Sequence, residues 1–214
     1  MLDNLSKKLQ KILKNLSGQG RVSERHIDET ARGVVESTYN RFLTDGMAVL
    51  DLMGSWESHL PDHIILDRLI GLGLNEDELR SNPRLSDYMV HDLNLNPVLP
   101  FEDSAFDVVV NTVSVEYLVN PFAVFNEVLR ILRPDGFFAV TFSNRWFPTK
   151  AIRIWSELHE FERMGLVLAY FLNAGGFKDL QTYSIRGLPR PFDDPYFPKL
   201  RHADPVYAVW GRKA

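Results

Sequence analysis

The chain has no cysteine among its 214 residues. Disulfides, thiolate nucleophiles and cysteine metal sites are therefore excluded, and a reducing, cytoplasmic setting is expected. No apolar run approaches the roughly eighteen residues that a membrane span needs, and no charged stub followed by an apolar block marks a secretion signal. Internal repeats and low-complexity tracts are also missing. The six histidines show no ligand spacing beyond His59-x-x-x-His63. That pair encloses proline and aspartate but not the glutamate of a zinc-protease helix, so no metal is expected. A Gly-x-Ser-x-Gly elbow, the mark of a common hydrolase class, does not occur. Acidic charge outweighs basic outside the N-terminus. Residues 1–25 carry a net +4, which leaves −8 on the remainder of a chain whose total is −4. An acidic body argues against nucleic acid as partner, because phosphate binding is driven by clustered Lys and Arg.

The composition that remains, 45% hydrophobic and 24% charged, is that of a folded globular domain of ordinary size. Leu2, Leu5, Leu9, Ile12, Leu13 and Leu16 recur at helical spacing with lysines on the opposite face, so residues 2–16 read as an amphipathic helix ended by Ser17-Gly18-Gln19-Gly20. Helix and strand patterns alternate after it, and two domains are expected: an arm at residues 1–25 and a body at 26–214. A helix is expected over about 26–43, a buried strand over 47–53, a second strand over 68–74, a short helix over 76–80 capped by Asn75, and a third strand over 87–92. Phe106-Asp107-Val108-Val109-Val110 reads as a short buried parallel strand. A helix over 121–132, the breaker Arg133-Pro134-Asp135-Gly136, and a strand over 137–142 follow. One long helix over 149–173 stopped by Gly175-Gly176, and strands over 177–185 and 206–211 flanking a proline-rich loop, complete the body. This order argues for an open, mostly parallel α/β sheet.

The spaced elements Leu99-Pro100-Phe101, Ser104-x-Phe106-Asp107, a helix, and Arg133-Pro134-x-Gly136 resemble the S-adenosylmethionine-dependent methyltransferases of the class I Rossmann-like superfamily, most closely the "type 11" small-molecule branch. The resemblance implies a seven-stranded, mostly parallel sheet with helices on both faces and an antiparallel C-terminal strand. It also implies S-adenosyl-L-methionine as cofactor and a small-molecule methyl acceptor as substrate. Separately, the first thirty or so residues (Leu5-Ser6-x-x-Leu9 … Leu16-Ser17-Gly18-Gln19-Gly20) resemble the start of the N domain of signal-recognition-particle GTPases, although no P-loop follows. Three roles stay open for this arm: packing on the domain or on a second copy in a homodimer, lying on a membrane surface, or making contacts of the particle type through a helix-mediated partner at residues 1–16.

In sheets of this class ligands bind beyond the carboxyl ends of the strands, where strand order reverses. By resemblance, Asp51, Met53, Gly54 and Ser55 after the first strand would meet the methionine part of the cofactor. Ser55-Trp56-Glu57 replaces the further glycines of the family's turn. Where the family places a ribose-binding acid at the end of the second strand, this chain has Gly73; Asn75 or Glu76 would then reach the ribose. Gly71-x-Gly73 lacks the third glycine of a dinucleotide fingerprint and sits on the wrong strand for one. Asp92 would accept from the adenine amino group with the Leu93 N–H facing the ring, and Asn111 and Ser114 would line the site from the fourth strand. Methyl transfer by in-line displacement needs alignment first and a base only if the acceptor must lose a proton. Glu116, His59 and Tyr117 are the candidate bases, each with a structural alternative, and Trp56, Trp146 and Phe147 are candidate walls of an acceptor pocket. The competing reading is a methyltransferase fold without catalysis that serves as a binding or interaction module.

Overall fold

A computed structural model of the chain describes residues 28–214; the arm at residues 1–25 and all three roles open to it lie outside the described residues. Helix α1 (Glu29–Tyr39) opens on Asp28, whose side chain accepts from the Ala31 N–H. It is followed by β1 (Ala48–Leu52), β2 (Arg68–Gly73), α2 (Glu76–Ser81), β3 (Asp87–Val90) and β4 (Phe106–Thr112). A single 3₁₀ turn at Val115–Tyr117 leads to α3 (Pro121–Ile131), β5 (Leu132–Ser143), α4 (Arg153–Glu157), α5 (Glu160–Ala174), β6 (Phe177–Ile185) and β7 (Val206–Lys213).

The strands form one seven-stranded sheet in the order β3-β2-β1-β4-β5-β7-β6. Every pairing from β3 to β5 is parallel, and β7 runs antiparallel between β5 and β6. This is the seven-stranded fold expected from the sequence. Residue alternation assigns the two faces. Leu50, Leu52 and Val109 enter a core with Phe125, Phe138 and Phe171 beneath α3 and α5. Val49, Val108 and Val110 enter a second core with Val35, Tyr39 and Trp210 beneath α1. A strand buried on both faces reads as a continuous apolar run, which is why Val108-Val109-Val110 was a strong signal. Phe106 is buried, and Asp107 accepts from the Ala48 N–H at 2.8 Å while pairing with Arg133, so both residues serve the frame.

Four elements depart from expectation. The helix expected over 149–173 is two helices, because His159 starts a new one: its ring accepts from the Phe161 N–H, and Glu162 accepts from the His159 N–H at 2.7 Å. The expected breaker at 133–136 is absorbed into β5. Asp135 sits at φ 61° beside a register shift in the β4–β5 ladder, anchored by Lys178 and Arg212. Helix α1 stops at Tyr39 rather than near residue 43, and β1 stops at Leu52 because Met53 turns to φ 63°.

Strand order reverses between β1 and β4, so a crevice opens at their carboxyl ends. The sheet geometry alone locates the candidate site.

Candidate functional site

A cleft of about 750 Å³ occupies this crevice. Its floor is strained: Met53 (φ 63°) and Val113 (φ 47°) leave the ends of β1 and β4 in the left-handed region. For a β-branched valine that conformation is costly and persists only where surrounding structure enforces it. Here the Val113 N–H is tied to the Thr141 carbonyl at 2.8 Å.

After Met53 the chain crosses the end of β2, and the Gly54 N–H donates to the Leu72 carbonyl at 2.9 Å. Two glycines make the crossing feasible. A Cβ on Gly54 would lie 2.9 Å from the Asp51 carboxyl, and one on Gly73 would lie 2.4 Å from the Gly54 carbonyl oxygen. No side chain fits at position 73, which explains the missing acid there. Asp51, only 3% exposed, accepts from the Ser58 hydroxyl at 2.5 Å. Burial pushes its carboxyl up to about 6, with the Ser58 hydrogen bond opposing. Asn82 fixes the loop by donating to the Ser55 carbonyl and the Ser58 hydroxyl.

A carboxylate does reach the cleft from α2, and it is Glu78. It is 8% exposed and accepts from the Ser55 hydroxyl at 2.6 Å and the Asn75 amide at 2.9 Å. Asn75 lines the cleft while capping α2 with its carbonyl oxygen. Glu76 does not line the cleft and pairs with Arg80 on the surface, so it is displaced as the ribose candidate. The spacing Asn75-x-x-Glu78, an N-cap followed by an acid at the third helical position, was the available signal.

At the end of β3, Asp92 lines the cleft and accepts from the Asn94 N–H at 2.9 Å; the buried Leu93 follows it. Asn94 stitches this corner to the next, donating to the Tyr117 carbonyl and accepting from the Val119 N–H. From β4, Ser114 lines the cleft, and its buried hydroxyl has no hydrogen-bond partner among the described residues. Asn111 does not line the cleft: its buried amide donates to the Leu52 carbonyl at 3.1 Å and ties β4 to β1. The sequence pattern puts Asn111 just past the strand and facing the ligand; β4 instead runs through it to Thr112, which turns the amide into the sheet.

The three candidate bases separate. His59 lines the cleft, and burial first, then the nearby Arg32, lowers its pKa, so its ring is neutral at neutral pH. Tyr117 lines the cleft and accepts from the Phe147 N–H at 3.2 Å; burial pushes its hydroxyl up. Glu116 does not line the cleft. It is 1% exposed, neither carboxyl oxygen has a geometrically sound hydrogen bond, and burial pushes it up to about 7. The facing wall comes from the segment after β5: Asn144, Arg145, Trp146, Phe147 and Lys150. Trp146 and Phe147 take the expected place, whereas Trp56 does not line the cleft. Arg145 and Lys150 escaped sequence reasoning because an irregular loop carries no periodicity. Among the described residues no group of three or more His, Asp or Glu side chains converges on a metal position.

Residues 64–140 match the protein family described as "Methyltransferase domain". The matched stretch begins after β1 and ends inside β5, so it omits the altered loop around Gly54. No curated protein matches the chain. Solved structures share the fold at low identity. A chain of the complex between the Haloferax volcanii methyltransferase activator Trm112 and a methyltransferase is 19% identical, with a TM-score of 0.59 over 84% of this chain and 87% of that one. An S-adenosylmethionine-dependent methyltransferase of Mesorhizobium loti is 15% identical, with a TM-score of 0.54 over 83% of this chain and 96% of that one. The [4+2]-cyclase SpnF is 18% identical, with a TM-score of 0.59 over 86% of this chain and 81% of that one.

Proposed function

We propose that the chain is an S-adenosylmethionine-dependent methyltransferase acting on a small-molecule acceptor. The observation that carries the reading is a row of acceptor groups along one side of the cleft: Asp51 near the end of β1, Glu78 on α2 and Asp92 after β3. The cofactor presents only donors to such a row, namely an ammonium, two ribose hydroxyls and an adenine amino group, and its sulfonium adds positive charge. The tight crossing that Gly54 and Gly73 permit brings bare backbone to the cleft, where it can meet the methionine end. Ser114 offers an uncommitted buried hydroxyl beside it. These features fit the cofactor. Asp51 would hold the ammonium, Glu78 with Asn75 the ribose, and Asp92 with the Leu93 N–H the adenine.

When bound, S-adenosylmethionine supplies an electrophilic methyl group. The protein's part is to align the acceptor with it, exclude water and take up a proton where the acceptor has one to lose. His59 is the group best suited to that last task, since a neutral imidazole facing the cleft accepts a proton directly. The matched methyltransferase domain and the fold of the solved neighbours favour this reading; the cyclase among them shows that a fold alone does not decide a reaction. A cytoplasmic setting and a contact through residues 1–16 belong to the same proposal. No helix among the described residues is long and apolar enough to cross a membrane.

The test is transfer of labelled methyl from S-adenosylmethionine into a small-molecule cell extract. Label in the small-molecule fraction that Asp92→Ala abolishes supports the enzyme. Tight cofactor binding with no transfer into any fraction would favour the binding-module reading.

A further inference from the structure

Charge is segregated around the cleft. Asp51, Glu57, Glu78 and Asp92 line the side built by β1, β2 and β3. The cationic side chains lining it among the described residues, Arg145 and Lys150, both lie on the segment that follows β5. Lys150 is exposed and has no carboxylate within ion-pair distance among the described residues; its ammonium sits 5.2 Å from the Phe147 ring centre. Arg145 is anchored through Nε to Asp204 at 2.7 Å, and Asp204 is shared with Arg190. The same guanidinium lies over the Tyr196 ring, 5.1 Å from its centre, and Asp204 is the one carboxylate paired with it among the described residues. Trp146 and Phe147 lie between the two cations in sequence and are half-buried. The Phe147 N–H donates to the Tyr117 hydroxyl, which pins this wall to the turn after β4. The wall therefore combines apolar rings with an exposed ammonium and an anchored guanidinium, while the facing side carries carboxylates.

We propose that the methyl acceptor is a small molecule with an apolar, planar body and an anionic group, carboxylate or phosphate, which Lys150 and Arg145 receive while Trp146 and Phe147 hold the body. The proposal rests on the methyltransferase reading for the word acceptor, but not for the anion site itself. A carboxylate or phosphate is the planar or multivalent oxygen acceptor that guanidinium and ammonium groups bind through charge-assisted hydrogen bonds. A cationic acceptor would instead meet two like charges on this wall, in addition to the sulfonium on the cofactor side.

The site is probed with anilinonaphthalene sulfonate, a planar aromatic anion, and with its uncharged parent N-phenylnaphthylamine. Both are titrated by fluorescence into the full chain at low salt. Wild type should bind the anion with one-to-one stoichiometry. Lys150→Gln should weaken it about tenfold and leave the uncharged probe within about twofold, since only the charge-assisted contact is lost. The same change at the exposed Lys199 should leave both probes unaltered. Equal weakening of both probes by Lys150→Gln, no weakening of the anion, an equal effect at Lys199, or no stoichiometric binding to wild type would each overturn the proposal. Arg145→Gln, which also disturbs Asp204, is expected to act in the same direction but does not decide the matter. Calorimetry with S-adenosylhomocysteine on the same preparations reads the cofactor side independently. Loss of cofactor binding with the anion site intact would defeat the methyltransferase reading alone, and the reverse result would defeat this inference alone.

Discussion

Glu116 adjoins Tyr117 of the cleft wall and is 1% exposed, and the nearby Tyr117 and Arg163 only partly offset its burial. Burial lifts its pKa from an ordinary 4.5 to about 7. The folded state therefore holds this proton more tightly than the unfolded chain does. The sign follows from linkage: stability is undiminished below about pH 4.5, falls as pH climbs from there to about 7, and stays lowered above that. Replacing Glu116 by glutamine removes the ionisation and leaves shape nearly unchanged. Between about pH 5 and pH 8 the wild type should lose about 2 to 3 kcal/mol relative to Glu116→Gln, the difference that a carboxyl moved from 4.5 to about 7 generates over that range. The amide's own hydrogen-bond needs shift the variant by a constant that does not depend on pH, and the pH response of Asp51 is common to both proteins, so the comparison isolates Glu116. Urea unfolding followed by tryptophan fluorescence at both pH values supplies the measurement. Parallel pH profiles for the two proteins would refute the claim that burial dominates the titration of this carboxyl.

Other consequences follow from the same geometry. Gly73→Ala drives a methyl into the Gly54 carbonyl, 2.4 Å away, and since backbone must move, a loss of about 1–3 kcal/mol is expected in urea unfolding. A neutral result would mean that the crossing loop is not fixed as described. Arg190→Met leaves Asp28, Asp194 and Asp204 without the guanidinium that approaches them at 3.4, 3.2 and 2.9 Å. Its side chain is 1% exposed, so a destabilisation of about 3–5 kcal/mol is expected by the same assay, and a change near zero would contradict the buried network. Glu78→Gln should weaken S-adenosylhomocysteine binding about tenfold in calorimetry while the far-ultraviolet spectrum is unchanged, since a charge-assisted acceptor becomes neutral. An unaltered dissociation constant would remove Glu78 from the ribose role.

Much of the frame was legible because burial on both faces writes continuous apolar runs, and Val108-Val109-Val110 and Ala48-Val49-Leu50 carried strand identity by themselves. What was not legible depended on side chains competing for local partners. His159 reads as one more helical position until its ring caps a new helix. Asn111 reads as a ligand-facing residue until its amide is seen bonded to the Leu52 carbonyl. In the site, Asp51, Gly54 and Asp92 could be named because the family resemblance assigns roles to residues at strand ends, and pattern marks roughly where those ends fall. The departure at Gly73 was visible, but not its cause, which is the Gly54 carbonyl arriving from a different strand. Glu78 was passed over in favour of Glu76 because helical phase, not sequence proximity, decides which acid turns inward. Arg145 and Lys150 lie on an irregular loop, where no period exists to read.

The central claim is that the cleft at the β1–β4 reversal binds S-adenosylmethionine through its row of carboxylates. Titration calorimetry of the full chain with S-adenosylhomocysteine, repeated with Asp92→Ala, tests it most directly. The account predicts one-to-one binding in the micromolar range that the substitution abolishes. No detectable binding to the wild type, or binding that Asp92→Ala leaves unchanged, would contradict it.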